Sequence, residues 1–282
     1  KDAASAAIYG SKAANGVILI TTKSGKEGKP VINYSGDVGL QSPTRLPEYL
    51  GSADYAVLYN EALANSGKPA RFTDEDIKLF RDGTDPYGHP DTDWLDLLYS
   101  GSGFLTTHNF SISGGNEHAQ YHSAVNYQQQ DGIIKYTGKK EYSGRTNLTF
   151  LPKKWLTTNI NLSYKQMDRE EPNNAYVGGG LDQIIRQAYR IAPWIPYKNE
   201  DGTYGTISDG NPIAWIDLGP QIFEKSKTFL GIGSIQLNVF EGFDLKATVS
   251  HRNVETDNKE MNKEIQYNAT KYHGPTKLTQ RL

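Results

Sequence analysis

The sequence predicts an all-β fold, a partial transmembrane antiparallel β-barrel with short helices in long extracellular loops. Three observations lead to this prediction. Seven segments alternate apolar and polar residues, as do strands that have one apolar and one polar face. Short and long connections alternate between these segments, which is typical of outer-membrane barrels. Aromatic residues concentrate near the ends of the apolar stripes, where barrels place their interfacial girdles.

The alternation begins after residue 30 and is clearest in the fifth segment. There Leu156, Ile160, Leu162 and Tyr164 are separated by polar residues. Because successive side chains of a strand point to opposite sides, all four predict one apolar face. The apolar positions of the other six segments are Ile32, Tyr34 and Val38; Phe110 and Ile112; Tyr121, Val125 and Tyr127; Tyr142, Leu148 and Phe150; Ile235, Leu237 and Val239; and Phe243, Leu245, Ala247 and Val249.

The connections after segments two, four and six are tight turns, whereas those after one, three and five are longer. The two longest are predicted at 41–103 and 167–227, and the third at about a dozen residues. Phe150, Trp155, Phe240 and Phe243 lie by the short turns, and Tyr127, Tyr142 and Tyr164 lie towards the long loops. A soluble antiparallel sandwich is the alternative, because its strands would alternate too.

The two longest loops carry helix signals of their own. Ser52 is a predicted N-cap, and Thr73 with Asp76 three residues later predicts a capping box. A further helix is predicted over 181–191, before Pro193.

Composition limits the classes of function. The formal net charge of -2 argues against a nucleic-acid partner. The absence of cysteine excludes disulfides and thiolate metal sites. The sequence contains no hydrolase, zinc-protease or nucleotide-binding glycine motif, so it does not predict an enzyme.

The N-terminal block, residues 1–25, has a different pattern. The Asn15-Gly16 turn precedes the run 17–20, which is apolar without alternation and predicts a strand buried on both faces. The block resembles the end of the plug domain in the SusC/RagA family of TonB-dependent outer-membrane transporters. Lys12 departs from the family pattern, which usually has arginine there. The matching signature positions include Asp2, Tyr9, Gly10, Ala14, Asn15, Gly16 and Lys23.

This resemblance implies a domain division. Residues 1–25 would be the C-terminal part of the plug, 26–30 a linker, and 31–282 the N-terminal part of the barrel. The family implies twenty-two barrel strands, so we expect the chain to be one piece of a longer protein in the outer membrane of a Gram-negative bacterium. Its seven strands would be surrounded by outer-membrane lipid.

The resemblance also implies a function. Family members import oligosaccharides or peptides together with a SusD-like surface lipoprotein, and TonB would supply energy through a segment upstream of this chain. One alternative is a TonB-dependent receptor for a siderophore or vitamin. The other, from a different class, is a soluble β-sandwich module that binds carbohydrate.

Five aromatic residues in the long loops are candidates for ligand contact, because rigid rings stack on sugars or pack peptide side chains. The alternative is that these rings pack the loops onto each other. One of them belongs to the sequence Thr92-Asp93-Trp94, which looks like a family motif. The five residues are Trp94, Tyr99, Trp194, Tyr204 and Trp215.

No cofactor is expected, and two groups are candidate metal ligands. His118 and His122, beside Glu117, would share a metal on a helix but not on the strand predicted here. A structural Ca²⁺ is the second candidate, although the spacing of its carboxylates lacks the EF-hand pattern and favours capping and solvation. The carboxylates are Asp82, Asp85, Asp91 and Asp93, with Asp96 nearby.

Overall fold

A computed structural model of the chain describes residues 22–173, 180–206, 210–218, 221–262, 264–267, 272–273 and 277–281. The strands are β1 (Gly28–Leu40), β2 (Phe104–Gly115), β3 (Ala119–Asp131), β4 (Gly138–Lys153), β5 (Leu156–Pro172), β6 (Gln221–Phe240), β7 (Phe243–Asn262), β8 (Ile265–Gln266), β9 (Tyr272–His273) and β10 (Lys277–Arg281). The helices are α1 (Ser52–Asn65), α2 (Asp74–Asp82), α3 (Trp94–Leu98), α4 (Leu181–Ala188) and α5 (Pro212–Asp217). Within these residues, none of the helices has the length and apolar character to cross a membrane.

Eight strands form one antiparallel sheet in the order β1-β2-β3-β4-β5-β6-β7-β10. Strands β8 and β9 form a separate two-stranded sheet between β7 and β10. The sequence predicted seven strands, and β10 is the eighth, paired to β7 from Lys277 opposite Asn262 onwards. The sequence missed it because five residues are too few to show the alternation that identified the other strands.

The pairing register places the predicted apolar positions on one side of the sheet. One row across the sheet joins Phe110, Val125, Gly144, Tyr164 and Phe229. We call this side the apolar face. The next row joins residues of the opposite side, the polar face: Ser35, Asn109, Asn126, Ser143, Lys165 and Thr228.

The apolar face is uncovered in the described structure. Val249 is 75% exposed and Leu245 is 50% exposed. A soluble sandwich would bury these side chains against a second sheet, but the remaining described sheet has only two strands. An apolar surface of this extent requires a non-aqueous or protein environment.

Short and long connections alternate in the structure. The short turns lie at one end of the strands, at 116–118, 154–155 and 241–242. At the opposite ends of the strands, the first connection spans the predicted residues 41–103. The other two connections are shorter than predicted, because the strands extend further. The β3–β4 connection has only residues 132–137, and the segment between β5 and β6 is 173–220. Backbone pairing continues through polar residues such as Gln129 and Lys140, where apolar alternation no longer marks a strand.

The helix signals in the loops were partly correct. The N-cap of α1 is Gly51, not Ser52, whose backbone N–H donates to Asp91 Oδ1 at 2.8 Å. The capping box of α2 is confirmed, because Thr73 and Asp76 each accept a hydrogen bond from the other's backbone N–H. Helix α4 ends at Ala188, three residues before its predicted end.

The main hydrophobic core lies in the loops. Residues of α3, α4 and α5 pack with Ile134 of the β3–β4 connection and with Ile265 and Tyr267 after β7. We call this core the loop cluster. Asn211, the N-cap of α5, is fully buried.

Asn211 satisfies all of its side-chain hydrogen-bonding capacity within the protein. Its Oδ1 accepts from the backbone N–H groups of Ile213 and Ala214, each at 3.0 Å, and so caps α5. Its Nδ2 donates to the carbonyl oxygens of Tyr197 and Gly205. One side chain therefore joins α5 to the turn before it.

Replacing Asn211 with Ala should destabilise this part of the loop cluster by about 2–4 kcal/mol, because a cap is lost and buried carbonyls are left unpaired. Hydrogen exchange of residues 197–217 should accelerate accordingly. The exposed Asn65 offers a matched control, since Asn65→Ala removes no buried partner. Equal exchange in the two variants would contradict this role for Asn211.

Candidate functional site: the loop cluster and the polar face

The five candidate aromatic residues all belong to the loop cluster. Trp94, Tyr204 and Trp215 are buried, and Tyr99 and Trp194 pack against it with partial exposure. The Trp94 indole is 4% exposed and donates to the carbonyl oxygen of Ala192 at 3.1 Å. These contacts support the packing alternative for the three buried rings. Ligand contact by Tyr99 and Trp194 stays a prediction.

The hydroxyl and indole groups of the buried aromatic residues have hydrogen-bond partners within the loops. The Trp215 indole donates to the Tyr267 hydroxyl at 2.5 Å. The Tyr204 hydroxyl donates to Asp217 Oδ2 at 3.3 Å. Burial, and then the charge of Asp217, raises the pKa of Tyr204 to about 12. This phenol therefore stays protonated and acts as a hydrogen-bond donor rather than a base.

The Thr92-Asp93-Trp94 sequence fastens the first long loop to the second. The Thr92 backbone N–H donates to the Pro193 carbonyl oxygen at 3.0 Å, and its hydroxyl donates to the Ile195 carbonyl oxygen at 2.8 Å. Asp93 caps α3 by accepting from two backbone N–H groups. The motif thus serves loop docking, which its sequence alone does not reveal.

Trp194 connects the loop cluster to a smaller core formed by Ala56, Phe72 and Phe80. Its ring meets Phe72 edge-on at a centroid distance of 5.8 Å. The Arg71 guanidinium lies 4.3 Å from the Trp194 ring centroid, within the range of a cation–π interaction.

A cavity of about 730 Å³ lies between the two long loops. Its lining includes Tyr49, Tyr55, Tyr189, Arg190 and Asp91. Sequence analysis did not select the first four, because nothing in their spacing indicates that the two loops meet.

His89 bridges two carboxylates in the first long loop. Its Nδ1 lies 2.7 Å from Asp85 Oδ2, and its Nε2 lies 3.0 Å from Asp76 Oδ1. These hydrogen bonds, to Asp85 first, raise the pKa of His89. The backbone hydrogen bond from Thr73, and then His89, lower the pKa of Asp76 to about 2. We call this arrangement the Asp–His–Asp bridge.

The acidic residues considered for Ca²⁺ have other roles. Asp85 belongs to the Asp–His–Asp bridge, Asp91 holds the start of α1, and Asp93 caps α3. Asp82 is the last residue of α2, and Asp96 lies within α3. Across the residues that the structure describes, no three His, Asp or Glu side chains are grouped so as to hold a metal ion.

The two candidate histidines also lie in different environments. His118 is exposed in the β2–β3 turn beside Glu117. His122 lies on the polar face of β3, opposite Asn147 of β4. The strand geometry expected from the sequence is confirmed for this segment.

The polar face contacts the end of the N-terminal block. The Asn147 side-chain amide donates to the carbonyl oxygen of Lys23 and to the hydroxyl of Thr22. Gly25 runs so close to β3 that a Cβ there would lie 2.3 Å from the Tyr121 nitrogen. Lys23 belongs to the N-terminal signature, whereas nothing in the sequence distinguishes Asn147 from the other asparagines of the polar face. The other signature residues, Asp2, Tyr9, Gly10, Ala14, Asn15 and Gly16, lie outside the described residues.

Comparison with known proteins identifies relatives of the chain. No model of a known protein family matches it. TonB-dependent receptor P26 of Formosa agariphila is 32% identical over 259 residues, covering 89% of this chain and 24% of the relative. TonB-dependent receptor SusC of Bacteroides thetaiotaomicron is 32% identical over 206 residues, covering 71% of this chain and 18% of the relative.

Two solved structures share the fold. The RagAB peptide transporter superposes with a TM-score of 0.74 at 21% identity, over 96% of this chain and 33% of that chain. The RagAB peptide importer in its 'open-open' state gives a TM-score of 0.71 at 21% identity, with the same coverage.

The chain belongs to the SusC/RagA family of TonB-dependent receptors. It spans about a quarter of the length of the first of these relatives. Its relatives are named as receptors and an importer rather than as enzymes. The predicted fold class is confirmed, because the sheet matches part of the RagA barrel.

Membership of the SusC/RagA family indicates what each face of the sheet contacts. In a barrel that spans a membrane, the apolar face meets lipid and the polar face lines the lumen. The contact of Asn147 with Thr22 and Lys23 then lies on the luminal side of the sheet. The division into plug, linker and barrel at 25 and 30 stays a prediction.

The Asp–His–Asp bridge should make the first long loop pH-dependent. Since the folded-state pKa of His89 is raised, its contribution is complete below its unfolded pKa of about 6.5 and is lost as pH rises through the folded value. Since the pKa of Asp76 is lowered, its contribution is present above about pH 4 and is lost in acid.

We therefore expect residues 74–89 to exchange amide hydrogens faster at pH 9 than at pH 6, after correction for intrinsic exchange. His89→Gln should abolish this difference, and His118→Gln, in an exposed turn, should preserve it. Retention of the difference in His89→Gln would show that another group is responsible.

Replacing Asn147 with Leu should release the 22–25 segment from the polar face. Loss of a buried amide that donates to two acceptors should reduce the exchange protection of this segment about tenfold. Asn161 is a matched control, because it lies opposite Asn147 on β5 and makes no described hydrogen bond to the segment. An equal loss of protection in Asn161→Leu would contradict a specific contact.

Proposed function

We propose that this chain is part of a TonB-dependent transporter that actively imports a nutrient, an oligosaccharide or a peptide, across the bacterial outer membrane. One observation carries the proposal: a single sheet presents an uncovered apolar face on one side and a polar face on the other, with the Thr22–Lys23 segment held against the polar side. The sequence relatives and the shared RagA fold support it.

The two faces explain how such a protein can stand in a membrane. Within lipid every backbone N–H and C=O needs a partner, and the antiparallel ladder supplies one between each pair of strands. The outer edges of β1 and β10 need further strands for the same reason, and closure of the barrel would provide them.

Transport would proceed along the polar face. In the resting state, the plug would fill the lumen, with its end held by Asn147. Force from TonB, applied upstream of this chain, would displace the plug. The exposed path would then offer amide and hydroxyl groups that exchange hydrogen bonds with a hydrated cargo.

A SusD-like lipoprotein is the partner that we propose for cargo capture. Its docking site would be at the end of the strands that carries the long loops, where the loop cluster gives a rigid surface. RagAB, whose structures share this fold, is a peptide importer, so peptides are a proposed cargo beside oligosaccharides.

Deletion of the receptor from its native strain tests the proposal. Uptake of at least one oligosaccharide or peptide should fall to the background level, and an uncoupler should produce the same loss in the parent strain. A SusD-like lipoprotein should co-purify with the receptor in mild detergent.

Other results would favour other functions. Unchanged nutrient uptake with loss of growth under iron or vitamin limitation would assign the protein to the siderophore or vitamin receptors. Recovery of the receptor in the aqueous fraction without detergent would support a soluble carbohydrate-binding module.

A further inference from the structure

We propose that Arg145 and Arg252 form a carboxylate-binding site on the polar face, which selects an acidic oligosaccharide as cargo. This inference rests on the proposed import function and specifies its substrate class.

The register places both arginines in one row across the sheet. Arg145 of β4 lies opposite Ser163 of β5, which lies opposite Leu230 of β6, which lies opposite Arg252 of β7. Three strand spacings of about 4.8 Å separate the two arginine Cα atoms by about 14 Å. Both residues are exposed in the described structure.

Neither arginine is neutralised within the part of the chain that the structure describes. The seven ion pairs found there include neither Arg145 nor Arg252. The one carboxylate among the cavity-lining residues, Glu141, is held by Lys165 at 2.9 Å. Among the described residues, both guanidinium groups therefore keep their paired N–H donors, whose geometry matches a carboxylate.

The surrounding cavity has an excess of positive charge. It measures about 1170 Å³, and its lining contains four Lys or Arg residues but only one carboxylate. The four are Lys23, Arg145, Lys165 and Arg252, and the carboxylate is Glu141. The N-terminal segment of this chain does not reverse the balance, because residues 1–21 contain Lys1 and Lys12 against Asp2 alone.

The rest of the cavity favours a cargo rich in hydroxyl groups. Asn126 donates a hydrogen bond to Asn109, and Ser143 lies next to Asn126 in the same row. Amides and hydroxyls both donate and accept, as sugar hydroxyls require. Ala124 and Leu230 are the only apolar residues of the polar face among those that line the cavity.

Uronic acid residues combine both features, since each carries one carboxylate and several hydroxyls. The separation of the arginines lets them bind carboxylates on different residues of one chain. A neutral oligosaccharide would leave both guanidinium groups without an anionic partner, and an acidic peptide would leave the amide and hydroxyl groups underused.

Binding to the purified full-length receptor tests this assignment. The probes are short oligogalacturonates and oligoalginates, their neutral methyl esters, and tetraglutamate, measured by calorimetry. We expect the wild-type receptor to bind an acidic oligosaccharide at least about tenfold more tightly than its ester. Arg145→Gln and Arg252→Gln should each remove about tenfold of that preference without changing affinity for the ester.

Two further variants separate site chemistry from folding. Lys227→Gln removes the same charge from β6 on the opposite face and should leave binding unchanged. Arg145→Lys keeps the charge but loses the paired donors, so it should show an intermediate affinity.

Three results would overturn the assignment. The first is equal affinity of the wild-type receptor for an acidic oligosaccharide and its ester. The second is a loss of preference in Lys227→Gln as large as in the arginine variants. The third is tighter binding of tetraglutamate than of either acidic oligosaccharide. The same variants should retain uptake of any neutral nutrient that the receptor imports, so failure of this assignment is distinguishable from failure of the import function.

Discussion

The antiparallel pairing that joins β1 to β7 and β10 in one sheet is the constraint on which the structure depends. Side chains of a strand alternate between faces, so a slip of one residue would exchange the apolar and polar sides of a strand. Val125 would then face the lumen and Asn126 the lipid. The ladder therefore meets both requirements of a membrane-spanning sheet: its backbone groups are paired, and most apolar side chains lie on one face.

The loop cluster is held together differently. In the sheet, backbone pairing joins the strands, whereas the loops are joined by buried side chains that reach distant backbone groups. Thr92 and Trp94 bind the 192–195 turn across about a hundred residues of sequence, and Asn211 ties α5 to Tyr197 and Gly205. Each of these polar groups would be costly if buried without a partner. The loops consequently pack into a core of their own rather than forming loose connections.

The polar side chains of the polar face differ in burial. Asn147 is buried by the Thr22–Lys23 segment, whereas Arg145 and Arg252 stay exposed and free of ion pairs in the described structure. One class of side chain contacts the N-terminal segment, and the other makes no ion pair among the described residues.

Several features could be predicted from the sequence, and their physical origins are local. The period of two in residues 156–164 predicted a strand with an apolar face, and the Thr73–Asp76 spacing predicted a capping box, because both patterns depend only on backbone geometry over a few residues. The N-terminal motif predicted the family. Strand ends were less visible, since β3, β4, β5 and β6 continue through polar residues that pair as well as apolar ones.

By itself, the sequence determined the fold class, the two faces of the sheet and the family, because each depends on residues that are close together in the chain. Only the tertiary structure decided which loop aromatics are buried, that His89 joins Asp76 to Asp85, that Asn147 meets Lys23, and that Arg145 and Arg252 share one row. These pairs form through strand register and loop docking between residues far apart in the chain, and no local pattern records which distant partner a side chain will meet.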